Sequence, residues 1–336
     1  MIQDLASVIV LNWNGRQHLQ RCLSSLGSQR YQPCEIILVD NGSSDGSADY
    51  VEAEFPSVRV IRLQTNTGFC AGNNLGIRES RGEYVALINN DTEADPAWLA
   101  ESIEALGANP EAGFTACRIR LFGDRSRLDT AGDLFFSSGY PGKRGSLRHD
   151  GPEFDRNEWV FGASAAAAVY RRSMLDAIGL LDEDFFNNME DVDLSFRAQL
   201  NGYRCLYVSS AIVYHKVGAT LGTPTNSAGN QYQAHRNHWY VLIKNLPPSL
   251  WLRYLGDILG AEALVFVSAI RNGRQDVFLR ARADVFRALP LLLTKRKQIQ
   301  QTRCVPPSYI DSIIRKGWYV HRLAERREER QQANRG

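Results

Sequence analysis

Two acidic clusters and one histidine, each at the end of an apolar run, carry the residue types that could do chemistry. The first cluster closes the run YVALIN as Asn89-Asn90-Asp91-Thr92. A metal or sugar-phosphate site at a strand end commonly uses two carboxylates, and here a single aspartate stands behind two asparagines. Asp91 reads either as a ligand or as the turn acid ahead of the next helix. The second cluster is Phe185-Phe186-Asn187-Asn188-Met189-Glu190-Asp191-Val192-Asp193, followed by Arg197. Three acids at a helix start suit the helix dipole, by about 0.3–1 kcal/mol each, and Asp193 can pair with Arg197 at i,i+4. That accounts for Asp193. Glu190 and Asp191 follow two aromatics that suggest a lined pocket, where a carboxylate can act as general base toward a hydroxyl. His215 ends the run VYH. A lone histidine is commonly structural, but beside a carboxylate and phosphate oxygens an imidazole can also hold a divalent ion.

Three more polar loops follow apolar runs: Asn12-Trp13-Asn14-Gly15, the stretch from Asp40 and Asn41 to Gly46, and the stretch from Asn66 through Gly68 to Asn73 and Asn74. Each alone is ordinary turn chemistry. Four such loops on one sheet edge converge on a single crevice, and side-chain amides beside an acid suit a base and ribose. No G-x-G-x-x-G and no G-x-x-x-x-G-K-[ST] follows any apolar run, so a dinucleotide site is disfavoured. A diphosphate bound here would need a metal or basic side chains.

The elements that must position these residues alternate. Residues 7–12, 35–40, 58–63 and 84–89 read as buried strands, and 17–29, 45–54, 69–80 and 95–107 as helices, with Asp95-Pro96 as cap and first turn. Such alternation predicts an α/β domain with a mainly parallel sheet. Beyond it, 113–170 reads as strands and irregular loops, 162–172 as a small-residue strand, 190–201 as a helix and 203–215 as a strand. From about 230 the chain reads helical and its last residues, 323–336, as frayed. The apolar stretch 246–270 carries Arg253, Asp257 and Glu262, which argues for a buried or interfacial helix over a membrane span.

The net charge of +2 is uneven: residues 271–336 hold 16 Lys/Arg against 6 Asp/Glu. A basic tail on an acidic body fits an anionic partner. Nucleic acid is not expected, because no interleaved aromatics or binding motif accompany the charge. Six scattered cysteines without a C-x-x-C pair fit reduced thiols in a cytoplasmic setting, and the first residues lack a signal-peptide pattern.

Taken together, VIVLNWNG, ILVDNGSSDGS, NTGFCAGNNLGI, YVALINNDT and the stretch from GASAAAAVYRR to IVYH resemble glycosyltransferase family 2, in its bacterial rhamnosyltransferase-like branch. The resemblance runs over about residues 5–245. It implies a GT-A fold, a Rossmann-like sheet flanked by helices, over 1–245. It also implies an inverting transfer that depends on Mg²⁺ or Mn²⁺. On that resemblance Asp40 holds the base or ribose, Asn12 and Asn41 line its pocket, and Asn66, Gly68 and Asn73 lie along the donor. Asp91, with Asn90 before it, takes the last position of the family's D-x-D motif. Asn89 stands at the first position, a departure from the strict pattern. Asp191 matches the catalytic base with Glu190 beside it, His215 the downstream metal ligand, and Phe161-Gly162-Ala163 the lining of the sugar and acceptor approach.

The implied donor is a nucleotide sugar, dTDP-L-rhamnose by the branch, and the implied acceptor a glycan or lipid-linked glycan. A sugar nucleotidyltransferase and a non-catalytic binding module are the competing readings. Residues 246–336 lie outside the resemblance and read as a basic helical region. It either docks on an anionic membrane face, with about 1 kcal/mol per basic residue, or packs as an ordinary subdomain.

Overall fold

A computed structural model of the protein describes residues 1–217 and 227–333. Its strands are β1 (Ile2–Asn12), β2 (Cys34–Asp40), β3 (Arg59–Arg62), β4 (Gly82–Asn89), β5 (Thr92–Ala94), β6 (Ala112–Leu121), β7 (Leu128–Thr130), β8 (Asp133–Phe135), β9 (Pro141–Lys143), β10 (Glu158–Val160), β11 (Ala167–Arg171) and β12 (Arg204–His215). Its helices are α1 (Arg16–Gly27), α2 (Ser47–Glu54), α3 (Gly68–Glu79), α4 (Trp98–Ala108), α5 (Arg172–Ile178), α6 (Glu190–Leu200), α7 (Ala228–Asn245), α8 (Pro248–Arg271), α9 (Gln275–Gln301), α10 (Pro307–Ile313) and α11 (Trp318–Ala333).

The main sheet runs β10-β12-β6-β11-β4-β1-β2-β3, with β5 added to β12 and β7 to β6. Strands β4, β1, β2 and β3 are parallel neighbours. Strand β11 enters antiparallel between β4 and β6 and turns the sheet mixed. The parallel strands are apolar runs because both faces are covered. Successive side chains point to opposite sides: Ile9, Leu11, Ile37 and Val39 enter one core with α3, α5 and α6. Val8, Val10, Leu38 and Ile88 enter the other with α1 and α4. The first core extends through Tyr240 and Leu246 to Tyr254, Ile258, Val285 and Ile310, so the late helices share it with the sheet.

Three expectations shift. Helix α4 starts at Trp98 with Ala97 before it, later than Asp95-Pro96 suggests. Asp95 instead caps the preceding turn, its carboxylate accepting from Ala97 N–H at 2.9 Å. The small-residue strand is confined to Ala167–Arg171 and passes directly into α5, because Arg172 anchors the turn on the Gly82 carbonyl at 2.6 Å. The tail is helical through Ala333, with the final three residues outside the described ones.

Helix α8 buries Leu250, Tyr254, Ile258 and Ala261 along one stripe. Its opposite face leaves Leu252 (82% exposed), Leu255, Leu259, Val267 and Ile270 in the open. Among the described residues, no helix is long and apolar enough to cross a membrane.

Candidate active site

The order β2-β1-β4 places three strand ends side by side. Asn12 is opposite Asp40, and Leu11 opposite Asn89, which sets the crevice at their carboxyl ends. The crevice wall is a continuous hydrogen-bonded chain. Asn12 Nδ2 donates to Asp40 Oδ1 and to Ser43 Oγ, each at 3.2 Å, while Asn90 Nδ2 donates to Asn12 Oδ1 at 2.6 Å. Asn41 Nδ2 donates to Asn66 Oδ1 at 3.0 Å and to the Gly68 carbonyl at 3.1 Å. Its Oδ1 accepts from Thr67 N–H at 2.9 Å. Asn73 donates to the Phe69 carbonyl at 2.9 Å inside α3. Gly15 leaves room for this chain, because a Cβ would lie 2.1 Å from Asn90 Nδ2 and 2.7 Å from Asn12 Oδ1 and would displace one of them.

Asp91 and His215, far apart in sequence, meet through β5. That short strand pairs antiparallel with β12, His215 opposite Thr92, and Lys216 N–H donates to the Asp91 carbonyl at 3.0 Å. Asp91 Oδ1 is then 3.3 Å from His215 Nε2. On the other side of the ring, His215 Nδ1 is 2.8 Å from Asp129 Oδ2, and Asp129 Oδ1 accepts from Lys143 Nζ at 2.6 Å. Burial opposes charge on the imidazole, but the hydrogen bonds and charges of Asp129 and Asp91 overcome it and raise its pKa to about 9. Burial also opposes the Asp129 carboxylate, yet the charges of Lys143 and His215 hold its pKa well below the usual range.

The donor set fits a divalent cation: one carboxylate, one imidazole, and a carboxylate orienting the far ring nitrogen, the arrangement that presents the near nitrogen to a metal. Among the described residues, no group of three or more His, Cys, Asp or Glu is arranged to hold an ion. A cation held at Asp91 and His215 would need further ligands beyond these two side chains.

The acidic helix start is positioned by an unusual turn. Phe186, Asn188 and Met189 all have positive φ, +61°, +64° and +73°, a region costly for side-chain-bearing residues. Asn237 of α7 holds them: its Nδ2 donates to the carbonyls of Phe185, Asn187 and Asn188 at 3.0, 2.7 and 2.7 Å. On the other side, the Phe186 carbonyl accepts from Phe69 N–H at 2.7 Å and Cys70 N–H at 3.2 Å. Gly68 (φ +88°) lies against the Phe186 ring, where a Cβ would approach to 2.5 Å. The two aromatics thus do not line a pocket: Phe185 is buried in the core and Phe186 covers the 66–70 loop.

From that turn α6 projects its acids in different directions. Asp193 is fully buried and bound by Arg197 at 2.9 Å and by Lys244 and Asn245 at 2.8 Å each, the structural pairing its spacing implies. Asp191 is half-buried, with Oδ2 accepting from Ala165 N–H at 3.1 Å and Oδ1 from Val192 N–H at 2.8 Å. Burial pushes its pKa up. Glu190 is buried, and burial together with Asp191 raises it to about 8.

Asp191 opens into a cavity of about 1040 Å³ that Asp133, Lys143 and Ser164 also line. Burial, then the charge of Asp191, pushes Asp133 to about 8. Phe161 and Ala163 do not reach this cavity. Phe161 stacks on Phe135 at 5.0 Å and meets Phe196 edge-on, while Ala163 is buried. Gly162 packs on Ser195, and its carbonyl accepts from Asp133 N–H at 2.9 Å. Sequence reading missed Asp129, Asp133, Lys143 and Asn237. The run Asp129-Thr130-Ala131-Gly132-Asp133, two acids around small residues, was the available signal.

A mixed sheet with its crevice at the β1, β2 and β4 ends, backed by an acidic helix start, is the GT-A architecture of glycosyltransferases. Solved structures share the fold. The S. aureus TarS fragment 1–349 in complex with UDP-GlcNAc matches 88% of this chain and 90% of its own at 17% identity, with a TM-score of 0.58. The mannosyltransferase PcManGT from Pyrobaculum calidifontis, in complex with GDP-Man and Mn²⁺, matches 88% and 85% at 17% identity, with a TM-score of 0.53. The family model "Glycosyl transferase family 2" matches residues 7–179, and the chain belongs to that family. A relative from Mycobacterium tuberculosis (strain CDC 1551 / Oshkosh), an N-acetylglucosaminyl-diphospho-decaprenol L-rhamnosyltransferase, is 26% identical over 81% of this chain and 96% of its own length.

Proposed function

We propose that the protein is an inverting glycosyltransferase that transfers L-rhamnose from dTDP-L-rhamnose to a hydroxyl of a lipid-linked glycan. The observation that carries this reading is Asp191: a carboxylate, held by two backbone N–H groups, that opens into the cavity beside the crevice. An inverting displacement needs one base on the face opposite the leaving diphosphate and no protein nucleophile. Asp191 takes the acceptor hydroxyl's proton as the oxygen attacks the anomeric carbon, and Asp133 faces the same cavity as a second polar contact for sugar hydroxyls. Glu190, beside the base and largely protonated near neutrality, keeps Asp191 from sharing its pocket with a second full charge.

On the donor side, Asp40 with Asn12 and Asn41 receives the base and ribose, and Asn66, Gly68, Asn73 and Asn90 shape the path of the nucleotide. Asp91 and His215 would hold a divalent ion, Mg²⁺ or Mn²⁺, which when bound offsets charge on the diphosphate. Asn89 at the head of the motif is then a variation, since the second protein ligand arrives on β12. The choice of donor and acceptor is supported by the mycobacterial relative. The 1–245 region carries this chemistry. The 246–336 region works at the cytoplasmic face of the membrane, supported by the open apolar face of α8 and the basic tail. Donor hydrolysis and transfer across a panel of nucleotide sugars, with Mg²⁺, Mn²⁺ or chelator, tests the reading. Turnover of dTDP-L-rhamnose that stops with chelator is expected; turnover of another sugar alone, or none, overturns the donor assignment.

A further inference from the structure

The cavity that holds Asp191 has a second wall, built from residues 264–274 and 318–325. Part of that wall is apolar: Leu264, Val267, Tyr319 and Leu323 are large hydrophobics left exposed. The apolar surface continues outward along α8 through Leu259, Leu255 and Leu252, which recur on one helical face. The same wall carries Arg271 and Arg274. Other arginines nearby are matched: Arg253 to Asp311 at 2.8 Å, Arg287 to Asp284 at 2.6 Å, and Arg282 to Glu262. Among the described residues, Arg271 and Arg274 have no carboxylate partner.

One cavity therefore offers a carboxylate, two guanidiniums without a carboxylate partner and an apolar strip that runs out to the surface. A soluble saccharide meets only the first of these. The nucleotide donor has its own crevice at the β1, β2 and β4 ends. We propose that this cavity is the acceptor site, and that it takes an amphiphile whose phosphate or diphosphate lies between its sugar and its apolar chain. The anionic group sits against Arg271 and Arg274, where charge-assisted hydrogen bonds are strongest, the chain runs along Val267 toward Leu259, and the sugar hydroxyl reaches Asp191. The proposal rests on the transferase reading for the role of Asp191, but the anion and chain contacts stand apart from it.

Calorimetric titration of the full chain in metal-free buffer tests it, with farnesyl diphosphate, farnesol and inorganic diphosphate as probes. Farnesyl diphosphate is expected to bind more tightly than either of the other two. The R271A/R274A double variant should weaken it about tenfold or more, and Val267→Glu should weaken it as well. Arg280→Ala, an exposed α9 arginine outside the cavity lining, should leave it unchanged. Equal affinity for farnesol and farnesyl diphosphate overturns the proposal, as does an equal loss in Arg280→Ala, which would mark general surface charge. A double variant that loses nucleotide affinity while keeping farnesyl diphosphate assigns the two arginines to the donor and also overturns it. Both groups are solvent-accessible, and matched thermal melts show that the variants fold. Donor hydrolysis is measured separately: its absence with every nucleotide sugar sinks the transferase reading, while the titration still reports on the cavity.

Discussion

The two sides of the site are built on opposite electrostatic plans. On the donor side, nearly every polar group is already matched within the protein, through amide-to-amide and amide-to-carboxylate contacts among Asn12, Asp40, Asn41, Asn66 and Asn90. On the acceptor side, Asp133, Glu190 and Asp191 crowd together, and burial holds all three carboxyls above their usual range. A satisfied network fixes shape; a crowded, half-desolvated set of carboxyls raises the pKa of each member above that of a free carboxylate. On the proposed reading, that contrast separates recognition from chemistry within a few side chains.

Asp191→Asn should break the comparison most sharply. Transfer is expected to fall by about a hundredfold to ten-thousandfold, with nucleotide affinity unchanged by titration. Undiminished turnover would remove Asp191 as the base. Next, Asp91→Ala should abolish the metal dependence of donor binding, and Asp129→Asn, which frees the far side of His215, should weaken it by about ten- to a hundredfold. Metal-titrated nucleotide binding reads both, and an unchanged response in Asp91→Ala would return that residue to the turn.

The acceptor side also makes a pH prediction. Asp191 must be ionised to act, and its pKa is raised, so the acid limb of kcat/KM lies above that of an ordinary carboxylate. Activity falls as pH drops through that raised value. Asp133, pushed up to about 8, already carries its proton through that limb, so Asp133→Asn should leave the limb in place; a limb that moves to lower pH would show that Asp133 is charged beside Asp191. The smallest effect concerns stability. Glu190 has a folded pKa of about 8, above its unfolded value, so the folded state keeps a proton that the unfolded state has lost. Stability on its account is full at low pH and declines as pH rises toward 8. Glu190→Gln should therefore melt higher than the parent at pH 8, with the difference closing by pH 5. A constant difference in melting temperature across that range would contradict the assignment.

Much of the donor side was legible because its residues sit where a periodic signal stops. Asn12, Asp40 and Asn89 end apolar strands, and the parallel pairing of β1 to β4 follows from strand–helix alternation. Asp193 was legible too, since i,i+4 pairing with Arg197 is local. The rest depends on contacts that sequence distance conceals. Asp129, Asp133 and Lys143 lie on three-residue strands too short for any period to register. The alliance of Asp91 with His215 comes from an antiparallel pairing of β5 with β12. The aromatics before Glu190 misled because the left-handed turn sends Phe185 inward and Phe186 back over Gly68. A run of hydrophobic letters carries no sign of such a reversal.

That turn has a mechanical consequence. The Phe186 carbonyl is tied to the start of α3, and the following carbonyls are tied to Asn237 on α7. The 66–70 loop and the first residue of α6 are therefore linked by one short segment. That segment fixes the 66–70 loop and the start of α6, with Glu190 and Asp191, relative to one another, and Asn237 braces it from α7.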